Sequence, residues 1–429
     1  MKHKRYIHFD NIMSLDEAKE YVKKIDNHSY LPFITYKKDK NKWDDEHNKL
    51  DEYRTISISS IKDNYVYQYY NEILSKKYDE YIKNTNLDKC VCAYRSGKHK
   101  CNIHFFAETF YFLKKSKNAK VFVGDISQFF DNLDHKILKD NLKIVLNVSE
   151  LDDNTYRMLK SLEKASFIEL NDIITFLNEK GIYINTGKDK YKDICRYCVT
   201  NNVPNIVKKE WFRELKDKYL KPSKKELKNK TKGIVQGSSV SGTLSNIYML
   251  DVDRKINTLL SGYDYLYRRY CDDFILIIRK IDEDTYNEVI AKVKDIISLN
   301  KLELKDSKIQ KYSYKNGKIS GRKSFIQFLG FEIHDDNEVK IRQSTMDRQL
   351  HKLLKSKKYY DKKKEFVSEE ELKELYRDRN YNKLHNVRSK DYSKRTIGTY
   401  ISKSIDRIDS STLKETKKEM VNLIDKHIK

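Results

Sequence analysis

Short apolar runs bounded by turn residues predict a set of β-strands in this chain. The most continuous run, Phe274–Ile278, is apolar enough to form a buried strand, and it directly follows two aspartates. The other strand signals lie at residues 53–58, at 120–124, and in two hairpin-like pairs at 265–278 and 325–342, the second turning at 335–337.

Apolar residues three and four positions apart predict helices around these strands. Leu133–Leu146 has this spacing, and Ser241–Leu260 predicts one amphipathic helix. Residues 147–230 are polar with a largely helical pattern, and residues 344–429 are again helical in pattern and strongly basic. Strands surrounded by helices in this order indicate an α+β core flanked by helical lobes.

The net charge of the chain indicates an anionic binding partner. The 429 residues include 87 Lys and Arg against 64 Asp and Glu, a formal net charge of +23. A globular protein this basic usually meets a polyanion, most commonly nucleic acid. A lysine bias inherited from an AT-rich genome is the alternative, and it would also explain the abundant Asn, Ile and Tyr.

Two absences from the sequence predict the compartment. No apolar run approaches the roughly 20 residues needed to cross a bilayer, so no membrane partner is predicted. Six cysteines in a chain of this length do not form a disulfide framework. We therefore predict a protein of the reducing cytoplasm.

Three carboxylates are the first candidate chemistry. Asp272 and Asp273 stand between two strand-like runs, where adjacent negative charges are costly unless something neutralises them. Asp125 also ends an apolar strand, and a strand end and a hairpin of one sheet can meet. Two Mg²⁺ ions about 3.5–4 Å apart would neutralise such a cluster and support nucleotidyl transfer, with Mn²⁺ as the alternative ion. A solvated hairpin tip would carry the same Asp pair.

A Gly/Ser-rich segment, residues 233–246, lies between the carboxylate motifs. Its glycines, Gly237 among them, allow a backbone to approach a ligand closely, and Gln236 supplies an amide before the following helix. The segment fits a platform under a nucleotide and its templating base. An ordinary turn with a helix cap would have the same composition.

In this order the segments resemble the successive motifs of bacterial reverse transcriptases. The matching segments are Asp125-x-x-x-Phe-Phe-Asp-Asn-Leu-Asp-His135, Gln236-Gly-Ser-Ser-Val-Ser241, Tyr270-Cys-Asp-Asp273, Leu302-x-Leu304 with Lys308, and Phe328-Leu-Gly-Phe331. Tyr53-Arg-Thr-Ile56 and Ala93-Tyr-Arg95 resemble that family's fingers motifs, so the resemblance covers roughly residues 50–345.

The resemblance implies an α+β, right-hand polymerase fold with a reverse-transcriptase palm, mixed fingers and a helical thumb. The implied boundaries are fingers at 1–118 and 142–230, with an N-terminal extension and a lineage-specific insertion, palm at 119–141 and 231–336, and a basic thumb at 337–429.

The resemblance also implies a catalytic and metal-binding set. Asp125 and Asp272 would hold both metal ions, with Asp273 as the weaker third carboxylate and Ile126 beside them as a metal ligand. Lys308 matches the lysine that protonates the departing pyrophosphate, although an ordinary surface lysine would fit this loose match equally well.

Further residues match positions that contact nucleotide, template or primer. Phe130 matches the steric gate that excludes the ribose 2′-hydroxyl, which favours DNA synthesis over the RNA-directed RNA polymerases of related palm design. The other matches are Arg54, Lys62, Gln236 and Gly237 for the incoming dNTP, Arg95 for phosphate or template, and Phe328, Leu329 and Gly330 for the primer grip.

Departures from the family's pattern indicate the branch. Val235, Ser239 and Gly242 stand where group II intron and retron enzymes usually carry prolines, and no Val-Thr-Gly triplet follows the primer grip. Residues 328–333 and 339–345 look more like those of abortive-infection and defence-associated reverse transcriptases. That similarity implies anti-phage defence and, as in the type 2 defence group, copying of a companion structured non-coding RNA.

The leading hypothesis is therefore an RNA-directed DNA polymerase that uses an RNA template, dNTPs and Mg²⁺ to make DNA. One alternative is an untemplated or protein-primed DNA polymerase of the abortive-infection type. Another is a catalytically silent RNA-binding protein. The sequence leaves the oligomeric state open.

Overall fold

The structure is a computed structural model. It describes residues 1, 6–26, 28–39, 53–83, 85–187, 189–222, 224–304, 306–348, 368 and 397–428. Within the predicted thumb, residues 349–367 and 369–396 therefore lie outside the described residues. Within the described ranges, no helix combines the length and the apolar character that a bilayer crossing needs.

Runs of strands and runs of helices follow one another along the chain. The strands are β1 (Phe33–Asp39), β2 (Tyr53–Ile58), β3 (Asn118–Asp125), β4 (Phe167–Glu169), β5 (Tyr265–Tyr270), β6 (Asp273–Arg279), β7 (Gln310–Lys315), β8 (Lys318–Gly321), β9 (Ile326–Phe328), β10 (Phe331–Ile333) and β11 (Val339–Ile341). The helices are α1 (Leu15–Lys23), α2 (Ile61–Ile82), α3 (Leu87–Cys90), α4 (Asn102–Lys114), α5 (Phe129–Asn132), α6 (His135–Leu146), α7 (Asp153–Glu163), α8 (Leu170–Glu179), α9 (Lys190–Thr200), α10 (Phe212–Tyr219), α11 (Lys224–Asn229), α12 (Ser241–Tyr248), α13 (Leu250–Leu260), α14 (Glu283–Leu299), α15 (Ile397–Ile405) and α16 (Ser411–Ile428).

The chain divides into two compact units, each assembled from three segments. The first unit contains Met1–Gly97, Ile126–Ile256 and Asp295–Glu303, and the second contains Lys98–Asp125, Asn257–Lys294 and Leu304–Lys429. The boundaries of fingers, palm and thumb inferred from the sequence stay a prediction.

A five-stranded antiparallel sheet, ordered β5-β6-β3-β7-β8, organises the second unit. β3 and β6 are its apolar centre, because Val121 and the Phe274–Ile278 run are buried. Their register places Gly124 opposite Phe274 and Asp125 opposite Asp273. The strands predicted at 120–124 and 265–278 are confirmed.

Gly124 is required by the ring of Phe274. A Cβ atom on Gly124 would lie 2.6 Å from Cζ of that ring, closer than nonbonded carbon atoms approach. The ring therefore lies across β3 in the space that a side chain would fill. This close approach explains why a glycine directly precedes Asp125 in an otherwise apolar strand.

A second sheet of the second unit is the meander β9-β10-β11. The sequence pattern at 325–342 predicted two strands turning at 335–337. That prediction was wrong, because the structure has three strands there. A further turn at Leu329–Gly330 separates β9 from β10, and the run of apolar residues hid it. The meander packs against α4 in the core, where the rings of Phe106 and Phe331 stack with centroids 4.5 Å apart.

The first unit contains the sheet β2-β1-β4, in which β4 pairs parallel to β1. Helices α8, α9 and α10 pack their apolar side chains against this sheet, in a cluster that includes Ile34, Ile168 and Phe176. Residues 147–230, predicted to be largely helical, therefore fold onto the N-terminal strand rather than forming a separate lobe.

Two predicted helices differ in detail from the structure. The helix predicted over 133–146 begins at His135, because the Asp134 carboxylate accepts from the N–H groups of Lys136 and Ile137 at 3.0 and 3.1 Å. The single helix predicted over 241–260 is two helices, α12 and α13. Met249 interrupts it with a ψ of 0°, outside helical values.

The Glu338 carboxylate anchors the start of α16. It accepts hydrogen bonds from the hydroxyls of Ser410 at 2.9 Å, Ser411 at 3.1 Å and Thr412 at 2.7 Å, and from the Thr412 N–H at 3.3 Å. The hydrogen bond from the Thr412 hydroxyl is the main reason that the pKa of Glu338 lies below its ordinary value of 4.5. A carboxylate at a helix N-terminus also interacts favourably with the helix dipole.

We expect Glu338→Gln to lower the free energy of unfolding by about 1–2 kcal/mol at neutral pH, because charge-assisted hydrogen bonds are lost. The Glu338 pKa is depressed by folding, so its contribution is present above pH 4.5 and disappears as the pH falls through the folded-state pKa. Urea denaturation at a series of pH values measures the difference. The exposed Glu415, on the same helix, gives the control Glu415→Gln. A pH-independent difference would contradict the assignment.

Candidate active site

The turn between β5 and β6 holds the Asp pair in a strained backbone. Tyr270 pairs with Asp273, which leaves Cys271 and Asp272 as the two turn residues. Cys271 has a φ of +62°, in the left-handed region that side chains disfavour. The fully buried guanidinium of Arg269 donates to the Cys271 carbonyl at 3.1 Å. A buried cation therefore supports the strained turn from inside the sheet.

The sheet brings the three predicted carboxylates to one end of β3 and β6. Asp125 is the register partner of Asp273, so their side chains leave the sheet on the same face. Asp272 adjoins them in the turn. Solvent reaches all three: the Asp125 side chain is 14% exposed, Asp272 is half-buried and Asp273 is exposed.

The cluster resists holding three negative charges. Desolvation by the surrounding protein, followed by repulsion from Asp272 and Asp125, raises the pKa of Asp273 to about 7. Asp273 is exposed to solvent, so we attribute the raised pKa mainly to repulsion from its two neighbouring carboxylates. The positive charges of Lys308 and Arg342 oppose the shift. The site therefore carries negative charge that a bound cation would relieve.

Lys308 lies beside Asp125. It ends the 3₁₀ turn Asp306–Lys308, which contacts β3, and its ammonium group donates to Oδ2 of Asp125. Half of the Lys308 side chain is exposed to solvent, so it also reaches the space in front of the carboxylate. The structure thus brings together Lys308 and the carboxylates that the sequence grouped with it.

The donor set fits divalent magnesium. Among the described residues, no three acidic, imidazole or thiol groups converge tightly enough to form a complete protein cage. Mg²⁺ rarely uses such a cage, because it keeps waters and binds through one or two carboxylates together with substrate phosphates. The oxygens of Asp125, Asp272 and Asp273 are of the kind this ion prefers, and Ile126 follows Asp125 directly in the chain.

The predicted primer-grip residues also belong to the second unit. Phe328 and Phe331 are register partners, and Leu329 and Gly330 form the turn between them. Phe328 is buried, whereas both turn residues are partly exposed. The backbone N–H of Arg342 donates to the Gly330 carbonyl at 3.0 Å, which ties the turn to the segment after β11.

Three of the predicted nucleotide-binding residues occupy neighbouring segments of the first unit. The Ile234 N–H donates to the Phe130 carbonyl at 2.9 Å, which joins the Phe130 segment to the start of the Gly/Ser-rich loop. Further along this loop, Gln236 and Gly237 are exposed, and Gly237 has a φ of +98°. Phe130 itself is nearly buried and contacts Phe129.

The structure argues against the predicted template contact of Arg95. Its guanidinium is buried and donates to Oδ1 of both Asp79 and Asp88, and to the carbonyls of Asp88 and Val91. A side chain engaged in this way holds α2 and α3 together. An arginine in a fingers-like motif was a reasonable candidate, but the sequence did not reveal its acidic partners.

Lys62 and Arg54, the other two basic residues predicted to bind the nucleotide, have different surroundings. Lys62 is exposed at the start of α2, and its ammonium lies 5.3 Å from the ring centroid of Tyr21. Arg54 lies in β2, and its side chain is outside the described part of the structure. Register pairs Arg54 with Lys38 of β1, an exposed cation that the sequence motifs did not identify.

Part of the chain is similar to a known protein family. Residues 191–333, less than half of the chain, match the family described as reverse transcriptase (RNA-dependent DNA polymerase). This stretch contains the Gly/Ser-rich loop, Asp272, Asp273, Lys308 and the turn at Leu329–Gly330. No curated protein sequence matches the chain.

Three solved telomerase structures align with part or most of this chain. Apo telomerase from Candida tropicalis, truncated from its C-terminal domain, aligns with a TM-score of 0.41 and 16% identity over 67% of this chain and 52% of that chain. Telomerase from Candida albicans with a fragment of telomeric RNA aligns with a TM-score of 0.43 and 14% identity over 96% and 65%. The Candida tropicalis complex gives 0.44 and 13% over 96% and 64%. This chain spans about half the length of the truncated apo protein.

Residues 191–333 are therefore similar to a reverse-transcriptase domain. The predicted α+β fold class is confirmed by the helices and antiparallel sheets, and the family match agrees with the predicted reverse-transcriptase palm. The match agrees with the prediction of an RNA-directed DNA polymerase made from the sequence.

We expect Asp273→Asn to raise the thermal unfolding midpoint in a chelator, because it removes one charge from a mutually repelling cluster. Mg²⁺ should raise the midpoint of the unsubstituted protein more than that of the variant, because the ion binds the folded carboxylate cluster. Calorimetry with EDTA and with Mg²⁺ gives both comparisons. Asp295→Asn, at an exposed position of α14, is the control. A lower midpoint for Asp273→Asn in EDTA would exclude the repulsion.

Proposed function

We propose that this chain copies RNA into DNA by two-metal nucleotidyl transfer at Asp125, Asp272 and Asp273. The observation that carries the proposal is the register of β3 with β6, which places Asp125 opposite Asp273 beside the turn residue Asp272. A chain that only bound RNA would gain nothing evident from three repelling carboxylates at one strand end.

The chain's own groups have distinct proposed tasks. Asp125 and Asp272 would hold both ions, with Asp273 and the backbone at Ile126 completing the set. When bound, Mg²⁺ lowers the pKa of the attacking hydroxyl and stabilises the charge on the leaving group. Lys308, beside Asp125, donates a proton to the departing pyrophosphate.

The incoming nucleotide is proposed to bind through groups of the first unit. Phe130 excludes the ribose 2′-hydroxyl, and the exposed Gln236 and Gly237 contact the nucleotide. Arg54 and Lys62 bind the triphosphate, and Lys38, paired in register with Arg54, adds a third cation.

The template is proposed to be a structured non-coding RNA encoded beside this chain, copied as part of anti-phage defence in the cytoplasm. The net charge of +23 and the defence-like segments at 328–333 and 339–345 support this choice. Sequencing the nucleic acid that co-purifies with the protein identifies the template directly.

Replacing Asp272 and Asp273 together by Ala should reduce dNTP incorporation by roughly 10³-fold or more, because the metal-binding charge is lost. The readout is labelled dNTP incorporation by purified protein with its co-purified RNA in Mg²⁺. Asp284→Ala plus Asp295→Ala removes two exposed carboxylates of α14 and controls for charge. DNA synthesis retained by the double variant would contradict the assignment of Asp272 and Asp273 to the catalytic site. If the double Asp272/Asp273 variant still protected cells from phage, the silent RNA-binding alternative would replace it.

Protein-primed synthesis is the second candidate function, and the surroundings of Tyr21 support it. The Tyr21 hydroxyl lies 2.6 Å from Nδ1 of His28, and Nε2 of His28 lies 2.8 Å from Oδ1 of Asp63. A hydroxyl, an imidazole base and an orienting carboxylate in this order form a nucleophile triad. Tyr21 Oη would form a bond to the α-phosphorus of a dNTP, pyrophosphate would leave, and the hydroxyl proton would pass to His28.

Tyr21→Phe should abolish any covalent label that the protein acquires from an α-³²P-labelled dNTP and Mg²⁺, because the attacking oxygen is removed. Denaturing electrophoresis after nuclease treatment detects the label. Tyr183→Phe is the matched control, since Tyr183 is 77% exposed. Label that persists on Tyr21→Phe places the acceptor elsewhere and leaves the triad as an anchor between α1 and α2.

A further inference from the structure

The turn between β9 and β10 adopts a conformation that its sequence disfavours. Leu329 and Gly330 have φ values of +47° and +89°, and the flanking residues Phe328 and Phe331 are register partners. Positive φ at both central residues defines a type I′ turn, whose first position is normally Asn, Asp or Gly. A leucine there is strained, because its Cβ atom crowds the carbonyl oxygen that follows. Such strain persists only where the surroundings enforce it.

Asn102 enforces the turn from α4. Its side-chain Nδ2 donates to the Leu329 carbonyl at 3.0 Å and to the Tyr400 hydroxyl, also at 3.0 Å. The Gly330 carbonyl is already bound by the Arg342 N–H. Both turn carbonyls therefore point to protein donors, so their partial negative charges are withdrawn from the surface that an anionic primer would approach.

Tyr400 completes the arrangement from α15. Its ring stacks on that of Phe331 with centroids 5.6 Å apart and an interplanar angle of 20°. The hydroxyl lies 3.6 Å from where a Cβ atom on Gly330 would be, so the turn rests against it. Burial raises the pKa of Tyr400 to about 12, and the hydroxyl stays protonated at neutral pH. Three segments far apart in the chain thus meet at one turn.

We propose that Asn102 and Tyr400 are positioning residues that lock the Leu329–Gly330 turn in its left-handed form and thereby align the primer 3′ end for attack. The proposal rests on the proposed function, in which this turn grips the primer. Neither residue touches the reacting atoms. Their effect passes through the turn, and releasing it lets Leu329 relax toward negative φ and displaces the primer end.

The test is extension of oligo(dT) annealed to poly(rA), with dTTP and Mg²⁺, by the full chain. Asn102→Ala and Tyr400→Phe should each lower kcat by roughly 10- to 100-fold, the scale expected when reacting groups are misplaced by about 1 Å. The KM for dTTP should stay within about twofold, because the nucleotide contacts are elsewhere. Tyr400→Phe keeps the ring stack on Phe331 and removes only the hydroxyl.

A rescue variant separates positioning from general stability. Asparagine tolerates positive φ, so adding Leu329→Asn to Asn102→Ala should raise kcat by about threefold or more above that of Asn102→Ala alone, even though the Leu329 side chain itself is lost. Failure of that rescue would overturn the proposal. So would an unchanged kcat in both single variants.

The control is Thr109→Val, which removes a buried hydroxyl that bonds within α4 at 2.8 Å and leaves the turn alone. It should lower the thermal midpoint without lowering kcat at a temperature where the protein is folded. Equal kcat losses in Thr109→Val and Asn102→Ala would assign the effect to stability and overturn the inference. No extension by the unsubstituted protein would instead overturn the proposed function itself, and with it the primer role of the turn.

Discussion

The antiparallel register of β3 with β6 is the constraint on which the site depends. It sets Asp125 directly opposite Asp273, and a shift of one residue would send one of these side chains to the other face of the sheet. The ring of Phe274, lying across Gly124, holds that register in place, since any other residue at Gly124 would collide with it. The apolar centre of the sheet therefore does more than stabilise the second unit. It determines which carboxylates share a face.

Two strained turns in the second unit follow the same plan. At Cys271 and at Leu329, a residue other than glycine adopts positive φ, and a side chain donates a hydrogen bond to its carbonyl. Arg269 supplies the donor in the first turn and Asn102 in the second. Each turn carries residues of the proposed site, and each is held by a side chain for which no chemical step is proposed. Strain of this kind is usually found where function requires one particular backbone conformation.

The sequence revealed the parts of this molecule that depend on local pattern. The apolar runs before Asp125 and after Asp273 predicted the central strands, and the order of the motifs predicted the polymerase class. The sequence could not show where polar side chains find partners from distant segments. Arg95 was assigned to the template because nothing in the sequence pairs it with Asp79 and Asp88. Asn102 was overlooked because its partners Leu329 and Tyr400 lie far away in the chain. Met249 interrupts a helix without any glycine or proline to mark the break.

The interleaving of the two units has a consequence for how the chain is made. β3 emerges from the ribosome long before β6 and β7, its two neighbours in the sheet, and the chain builds much of the first unit in between. An apolar strand with both edges open is prone to pair with the wrong partner. The nascent chain therefore has to shield β3 until residues beyond 310 are synthesised, which makes translation rate and chaperone access natural determinants of its yield. Neither unit corresponds to a contiguous gene fragment.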